Sequence, residues 1–170
     1  SINKGLKKII NFGTMMQHID GKNYLPKNFY ASTKSAFEMI LNYYYLKNKK
    51  LNLYNLKFYE SFHEKDFRKK LIPTLIKNYK QNKATTINSK KLQLNIIHVN
   101  DIINAIMIIL KNKVKPGDYC LKQKKNYEIT YLISKINDKL KKKLMIKYKN
   151  EKILKFEKSS LKVLPKWKPQ

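Results

Sequence analysis

The chain alternates between continuous apolar runs and segments whose apolar residues recur at helical spacing. The runs predict strands at residues 8–12, 52–59 and 92–99, and the spaced segments predict helices at 29–47 and 102–110. Strands with apolar residues at consecutive positions are typical of a parallel sheet that is buried on both faces. The pattern therefore predicts an α/β protein built around a parallel sheet.

In the rest of the chain, fewer apolar residues follow a regular spacing, but they still predict further helices and a strand. Leu71, Leu75 and Ile76 predict a helix that begins near Pro73, and Asp101 is placed to cap the helix over 102–110. A short strand is predicted near residues 119–121. A further helix is predicted over 129–142, with the lysines of 139–143 on its solvated face.

Composition narrows the class of protein. Of the 170 residues 42% are hydrophobic, which is enough for one sizeable core. The longest apolar run, Ile102 to Leu110, is far shorter than the roughly 18 residues of a spanning helix, so a cytoplasmic protein with no membrane partner is expected. Cys120 is the single cysteine and the histidines lack ligand spacing, so neither a disulfide framework nor a metal site is expected.

The net charge of +27 points toward a polyanion, but the kind of basic residue argues against nucleic acid. Arg68 is the single arginine, whereas proteins that read bases and phosphates use the guanidinium group extensively. The lysines come with many Asn, Ile and Tyr residues, which A- and T-rich codons specify. A solvated lysine surface is therefore favoured, and a non-catalytic basic module that binds nucleic acid or another polyanion is kept as the alternative.

Tyr30 and Lys34 are the most informative candidates for chemistry. They lie four residues apart on the predicted helix, so their side chains share one face. A nearby ammonium stabilises a phenolate, which lets a tyrosine act as a general base. The same spacing recurs elsewhere, for example at Tyr43 and Lys47, so context must support it. Here the helix follows a strand that ends at Gly13-Thr14, and ligands bind at the carboxyl ends of parallel strands.

Several motifs, taken in order, resemble the extended short-chain dehydrogenase/reductase family of NAD-dependent nucleotide-sugar epimerases, dehydratases and reductases. The strand ending at Thr14 resembles the one that carries the catalytic Ser or Thr of that family, and Tyr30 with Lys34 matches its Tyr-x-x-x-Lys pair. The later matching segments are residues 56–62 and 66–73, the His-Val-x-Asp element at 98–101, and Trp167-Lys168-Pro169.

The resemblance implies roles for individual residues. Thr14 would hydrogen-bond the reacting sugar oxygen, Tyr30 would exchange its proton, and Lys34 would assist Tyr30, with both Tyr30 and Lys34 binding an NAD or NADP cofactor. Ser61 and Arg68 would bind the nucleotide-sugar substrate. For Arg68 an ion pair with Asp66 or Glu64 is an equally weighted alternative.

The resemblance also implies the organisation of the chain. Residues 1–62 would be the remainder of a Rossmann-type domain, and 63–170 would be mostly a small α/β substrate-binding portion, with 92–112 returning to the Rossmann sheet. The family also implies a homodimer formed through the helix near 29–47. With only four glycines, the sequence contains no Gly-rich dinucleotide-binding turn, so it is expected to be the C-terminal part of such an enzyme and inactive alone.

Met15 and Met16 indicate which of the family's reactions the chain would catalyse. A 4,6-dehydratase would be expected to have an acid and a base beside the catalytic hydroxyl, and a methionine pair cannot transfer that proton. The sequence therefore favours a fragment of a 4-epimerase or 4-ketoreductase, of the kind that makes sugars for surface polysaccharides, over a dehydratase.

Overall fold

A computed structural model describes residues 5–18, 25–149, 151 and 161–169. Its strands and helices alternate as the sequence predicts. The strands are β1 Lys8–Thr14, β2 Asn52–Phe58, β3 Glu60–Phe62, β4 Thr85–Ile87, β5 Gln93–Leu94, β6 Ile96–His98, β7 Gly117–Leu121, β8 Tyr127–Glu128 and β9 Ile146–Tyr148. The helices are α1 Phe29–Lys47, α2 Leu71–Lys80, α3 Val99–Leu110 and α4 Ile129–Asn137, and a short 3₁₀ turn covers Met15–Gln17.

The chain divides into two compact units. The first contains the described residues up to Tyr59, Ile97–Lys122 and the described part of the C-terminal tail; the second contains Glu60–Ile96 and the described residues from Gln123 to Glu151. In the first unit β1, β2 and β7 form a parallel sheet with β2 in the centre. The structure thus confirms the predicted α/β fold with a parallel sheet and flanking helices.

Helix α1 turns one stripe of side chains inward. Its buried residues are Ala31, Ser35, Glu38 and Leu41, which recur every three or four positions and therefore lie on one face. The helix begins at Asn28, whose side-chain oxygen accepts a hydrogen bond from the Ala31 amide at 2.9 Å. This cap fixes where the helix starts, and so places Tyr30 in its first turn.

The C-terminal tail completes the core of the first unit. Trp167 and Leu164 pack with Leu56 of β2 and Ile109 of α3, all of them buried. The indole Nε1 of Trp167 donates a hydrogen bond to the backbone oxygen of Asp101 at 2.8 Å. The tail is therefore part of the core even though it lies far away in sequence.

The second unit has its own, smaller core. Strand β4 pairs with β9 in parallel, and β5 pairs with β8 in antiparallel orientation. Ile87 and Leu94 from these strands pack with Ile129 and Ile133 of α4. This mixed arrangement of very short strands contrasts with the longer parallel strands of the first unit.

The predicted strand over 92–99 is wrong in one respect, because the chain forms two short strands on either side of Asn95. The Asn95 side chain donates to the Gln123 backbone oxygen at 3.1 Å and accepts from the Gln123 amide at 2.8 Å. These bonds hold Asn95 to the segment before β8. The third strand of the parallel sheet is β7, which the sequence predicts only as a short strand near residues 119–121.

Two predicted helix boundaries are also wrong. Helix α3 begins at Val99, and its cap is His98, whose Nδ1 accepts from the Asn100 amide at 3.2 Å; Asp101 lies inside the first turn. Helix α4 ends at Asn137 instead of continuing to 142, because the Asn137 side chain accepts from the Leu144 amide at 2.8 Å and the chain folds back. The lysines of 139–143 therefore lie outside a helix.

Among the described residues, no helix combines the length and the apolar character needed to cross a membrane. Cys120 is a free, fully buried thiol.

Candidate active site

Thr14 is the last residue of β1, at the carboxyl end of a parallel strand. Its hydroxyl oxygen accepts a hydrogen bond from the Met16 amide at 3.3 Å, and its own amide donates to Oε1 of Gln17 at 2.8 Å. Together these bonds form a capping box that starts the 3₁₀ turn. The turn holds the Thr14 side chain in one place at the end of the sheet.

Tyr30 and Lys34 lie together on α1, as their spacing predicts. The Lys34 ammonium is 5.9 Å from the centroid of the Tyr30 ring, and it donates a hydrogen bond to the backbone oxygen of Phe12 at 3.0 Å. Phe12 is two residues before Thr14 on β1. The lysine therefore joins the tyrosine-bearing face of α1 to the end of the strand that carries Thr14.

The contact with β1 separates this pair from others with the same spacing. Tyr131 and Lys135 on α4 have nearly the same internal geometry, with the ammonium 5.8 Å from the ring centroid. The two tyrosines are similarly exposed, at 55% for Tyr30 and 49% for Tyr131. However, Lys135 lies 4.0 Å from the carboxylate of Asp138 on the protein surface. Spacing alone therefore does not define the candidate site, whereas the bond to Phe12 does.

A buried polar chain that the sequence analysis missed lies beneath Thr14. Gln17 Nε2 donates to Glu38 at 2.8 Å, and Lys57 Nζ donates to the other carboxylate oxygen of Glu38 at 2.7 Å. The side chains of Glu38 and Lys57 are each 1% exposed. The signal that could have found them was a lone charge at a core position: Lys57 in an apolar strand, and Glu38 on the inward stripe of α1.

The two residues after Thr14 differ in exposure. Met15 is fully buried, while Met16 is partly exposed and its sulfur lies 3.9 Å from the side-chain nitrogen of Asn28. Neither thioether can donate or accept a proton at neutral pH. The methionine pair therefore gives the end of β1 no acid or base.

The second unit contains a cavity of about 320 Å³. Apolar residues of α2 and of strands β4 to β6 form most of its wall, and its polar lining residues are Glu60, Ser61, Lys70, Thr86 and Asn88. Lys70 lies 3.4 Å from the Glu60 carboxylate. The cavity thus combines an apolar wall with one charged pair, two hydroxyl groups and an amide, which is the usual character of a small-molecule site.

Ser61 and Arg68, the two predicted substrate ligands, differ in position. Ser61 lines the cavity, and the described lining does not include Arg68. The guanidinium of Arg68 donates to both carboxylate oxygens of Asp66, at 2.6 and 2.8 Å. This hydrogen bonding holds the pKa of Asp66 at about 2, below its ordinary value of 3.8. The ion pair that the sequence analysis gave as the alternative for Arg68 is therefore formed.

Comparison with known proteins identifies a family. The family model for GDP-mannose 4,6-dehydratases matches residues 12–170. The CDP-abequose synthase of Yersinia pseudotuberculosis is 27% identical over 106 residues, which cover 62% of this chain and 37% of that protein.

Solved structures with the same fold include 4-epimerases and a dTDP-glucose 4,6-dehydratase of Bacillus anthracis, which superposes with a TM-score of 0.68 at 18% identity over 85% of this chain and 50% of its own. One of the 4-epimerases is the UDP-N-acetylglucosamine 4-epimerase of Methanobrevibacter ruminantium M1, in complex with UDP-N-acetylmuramic acid. It superposes with a TM-score of 0.78 at 20% identity, and the match covers 96% of this chain and 58% of that protein. The UDP-glucuronic acid 4-epimerase of Bacillus cereus, in complex with NAD, superposes with a TM-score of 0.75 at 18% identity. The match covers 84% of this chain and 49% of that protein. This chain thus spans about half the length of these proteins, and the predicted Rossmann-type fold is confirmed.

Proposed function

Because the chain belongs to the GDP-mannose 4,6-dehydratase family, we propose that it carries the proton-transfer residues of an NAD(P)-dependent enzyme that acts on a nucleotide sugar. The observation that carries the proposal is the Lys34 ammonium, which lies between the Tyr30 ring and the Phe12 oxygen near Thr14. These two contacts support a site at the carboxyl end of a parallel strand, where open α/β sheets bind their ligands.

Each of the three residues has a defined task. Tyr30 exchanges a proton with the sugar hydroxyl or carbonyl, and Thr14 hydrogen-bonds the same oxygen. Lys34 stabilises the Tyr30 phenolate. A bound NAD or NADP supplies or accepts the hydride. An ammonium has three N–H donors and the bond to Phe12 uses one of them, so Lys34 fits the further task of binding a ribose hydroxyl of that cofactor.

Within the family we propose a 4-epimerase or 4-ketoreductase instead of a 4,6-dehydratase, working in the synthesis of sugars for surface polysaccharides. Elimination of water needs an acid and a base beside the reacting carbons, and the residues that follow Thr14 are Met15 and Met16. The names of a CDP-abequose synthase and two 4-epimerases among the relatives support this assignment, whereas the matching family model and one solved neighbour are named for 4,6-dehydratases.

The cavity of the second unit is the proposed site of the nucleotide sugar. Ser61 and Lys70 offer a hydroxyl and a cation, and the apolar wall suits a planar base. Arg68 stays a proposed phosphate ligand because the planar guanidinium group suits the geometry of a phosphate, which would compete with the Asp66 carboxylate for it.

The proposed enzyme acts as a homodimer that pairs through α1. Phe37, Ile40 and Tyr44 are exposed at helical spacing on this helix, and a second copy would cover them. The variant Ile40→Glu should shift the sedimentation coefficient to that of a monomer. The matched control Ile103→Glu, which changes an equally exposed isoleucine on α3, should not. A monomeric wild type would contradict this part of the proposal.

Turnover should need a cofactor-binding segment that the 170 residues do not contain, so the function is tested in a fusion. The fusion supplies the part of the NAD-bound Bacillus cereus epimerase that this chain does not cover. We expect it to interconvert nucleotide 4-epimers or to reduce a nucleotide 4-ketosugar. Tyr30→Phe should lower the rate by roughly 10²- to 10⁴-fold, the usual contribution of a general acid or base.

The matched control is Tyr131→Phe, because Tyr131 has the same spacing and the same distance to a lysine. This variant should leave the rate unchanged. Equal effects of the two substitutions, or a folded fusion without turnover, would refute the proposal. Formation of a 4-keto-6-deoxy product would show a dehydratase instead. DNA binding with a steep salt dependence would favour the polyanion-binding alternative.

A further inference from the structure

We propose that Gln17, held by the buried pair of Glu38 and Lys57, is a positioning residue for Thr14. The inference rests on the proposed role of Thr14 as a hydrogen-bond partner of the sugar oxygen. It assigns a task to three residues whose side chains are buried and do not themselves face a substrate.

The three residues form one continuous chain of hydrogen bonds. Lys57 Nζ donates to Glu38 Oε1 at 2.7 Å, Gln17 Nε2 donates to Glu38 Oε2 at 2.8 Å, and the Thr14 amide donates to Gln17 Oε1 at 2.8 Å. This chain of hydrogen bonds starts at Lys57 on the central strand β2, passes through Glu38 of α1 and Gln17, and ends at Thr14, the last residue of β1. It therefore links the position of Thr14 to the helix that carries Tyr30 and Lys34.

The chemistry of the groups fixes the direction of the Gln17 amide. A carboxylate only accepts hydrogen bonds, so Glu38 takes the NH₂ end of Gln17 and leaves the oxygen end for the Thr14 amide. The Lys57 ammonium donates to the other carboxylate oxygen of Glu38. One orientation of Gln17 therefore satisfies both of its neighbours.

Gly13 shows how closely the side chains of Gln17 and Lys57 pack against the end of β1. A Cβ atom at Gly13 would lie 2.5 Å from Gln17 Oε1 and 2.9 Å from Lys57 Cγ. The lack of a side chain at Gly13 is thus what allows Gln17 and Lys57 to approach the backbone directly before Thr14.

Stability alone does not account for the buried pair. A buried ion pair gives up the hydration of both charges, and well-packed apolar side chains of similar size are often as stable or more stable. A buried pair that also orients a neighbouring amide has a second task, which an apolar pair cannot perform. This difference separates a positioning role from a merely structural one.

The test is amide hydrogen exchange at Thr14, measured by NMR on the 170-residue chain. In Glu38→Leu/Lys57→Met an apolar pair replaces the ion pair and Gln17 loses its acceptor. We expect the Thr14 amide to exchange about tenfold faster than in the wild type, since a lost hydrogen bond of about 1.4 kcal/mol corresponds to that factor. Amides of the central strand β2 should keep their rates, and the melting temperature should not fall.

Two further variants sharpen the result. Glu38→Gln/Lys57→Met keeps an acceptor oxygen for Gln17 without the buried charges, so protection of the Thr14 amide should return. Gln17→Met removes the amide itself, and should accelerate exchange at Thr14 even if the double variants unfold. Unchanged Thr14 exchange in Gln17→Met, or in a folded Glu38→Leu/Lys57→Met, would overturn the inference.

The outcome does not depend on turnover. Failure of the proposed function would appear as equal effects of Tyr30→Phe and Tyr131→Phe in the fusion. Failure of the present inference would appear in the exchange rate of a single amide.

Discussion

Trp167 offers a direct test of how the tail stabilises the first unit. Its side chain is 4% exposed, packs in the core beside Leu164, and donates a buried hydrogen bond to the Asp101 backbone. Replacing a buried aromatic residue by alanine typically costs about 3–5 kcal/mol, because the lost contacts leave a cavity. Trp167→Ala should therefore lower the free energy of unfolding by about that amount.

Trp167→Phe separates packing from hydrogen bonding. It keeps an aromatic ring but removes the indole N–H, so it should cost about 1–2 kcal/mol, near the value of one hydrogen bond plus a small loss of contact. Val163→Ala is the control, because Val163 lies in the same segment with 40% of its surface exposed, and it should cost less than about 0.5 kcal/mol.

The assay is urea unfolding followed by far-UV circular dichroism. Trp167 is the single tryptophan, so the emission of the wild type reports its environment without interference. We expect blue-shifted emission that acrylamide quenches slowly. If Trp167→Ala costs less than about 1 kcal/mol, or the wild type emits like a solvent-exposed indole, the tail does not complete this core.

Three further predictions concern other parts of the chain. Burial raises the pKa of the Cys120 thiol, so Ellman's reagent should label it only as fast as the protein unfolds, and rapid labelling of the folded chain would contradict its burial. Arg68→Leu should return the pKa of Asp66 from about 2 toward 3.8, as seen in an NMR titration of the carboxyl carbon. Because the folded pKa is the lower one, the contribution of this pair to stability is complete above pH 3.8 and is lost as the pH falls toward 2. Asn95→Leu should destabilise the second unit by about 1–3 kcal/mol in urea unfolding, since the amide of Gln123 loses its partner, and an unchanged unfolding curve would show that these bonds are dispensable.

Sequence periodicity located the elements whose pattern is local. The bounds of α1 agree with the prediction because the helical spacing of its residues and the Asn28 cap act within the helix itself. The break at Asn95 and the end of α4 at Asn137 depend on partners many residues away, or on a chain reversal that follows the helix. The spacing of apolar residues along the chain does not indicate which distant residues these partners are.

The residues of the candidate site were also predictable only where their contacts are local. Tyr30 and Lys34 are neighbours on one helix, so their spacing was enough to pair them. Glu38 and Lys57 lie on different elements, and although each is a charge at a core position, neither position indicates its partner. Their pairing depends on how α1 packs over β2, which the sequence pattern does not contain.

The interleaving of the two units has a consequence for synthesis of the chain. A ribosome adds residues in order, so the first unit has its strands β1 and β2 long before Leu164 and Trp167 emerge to close its core. Until then the buried faces of Leu56 and Ile109 lack their last partners. A chain that stalls before the tail would therefore expose apolar surface, which favours aggregation and recognition by chaperones. Residues 164–167 must therefore have left the ribosome before the core of the first unit can close.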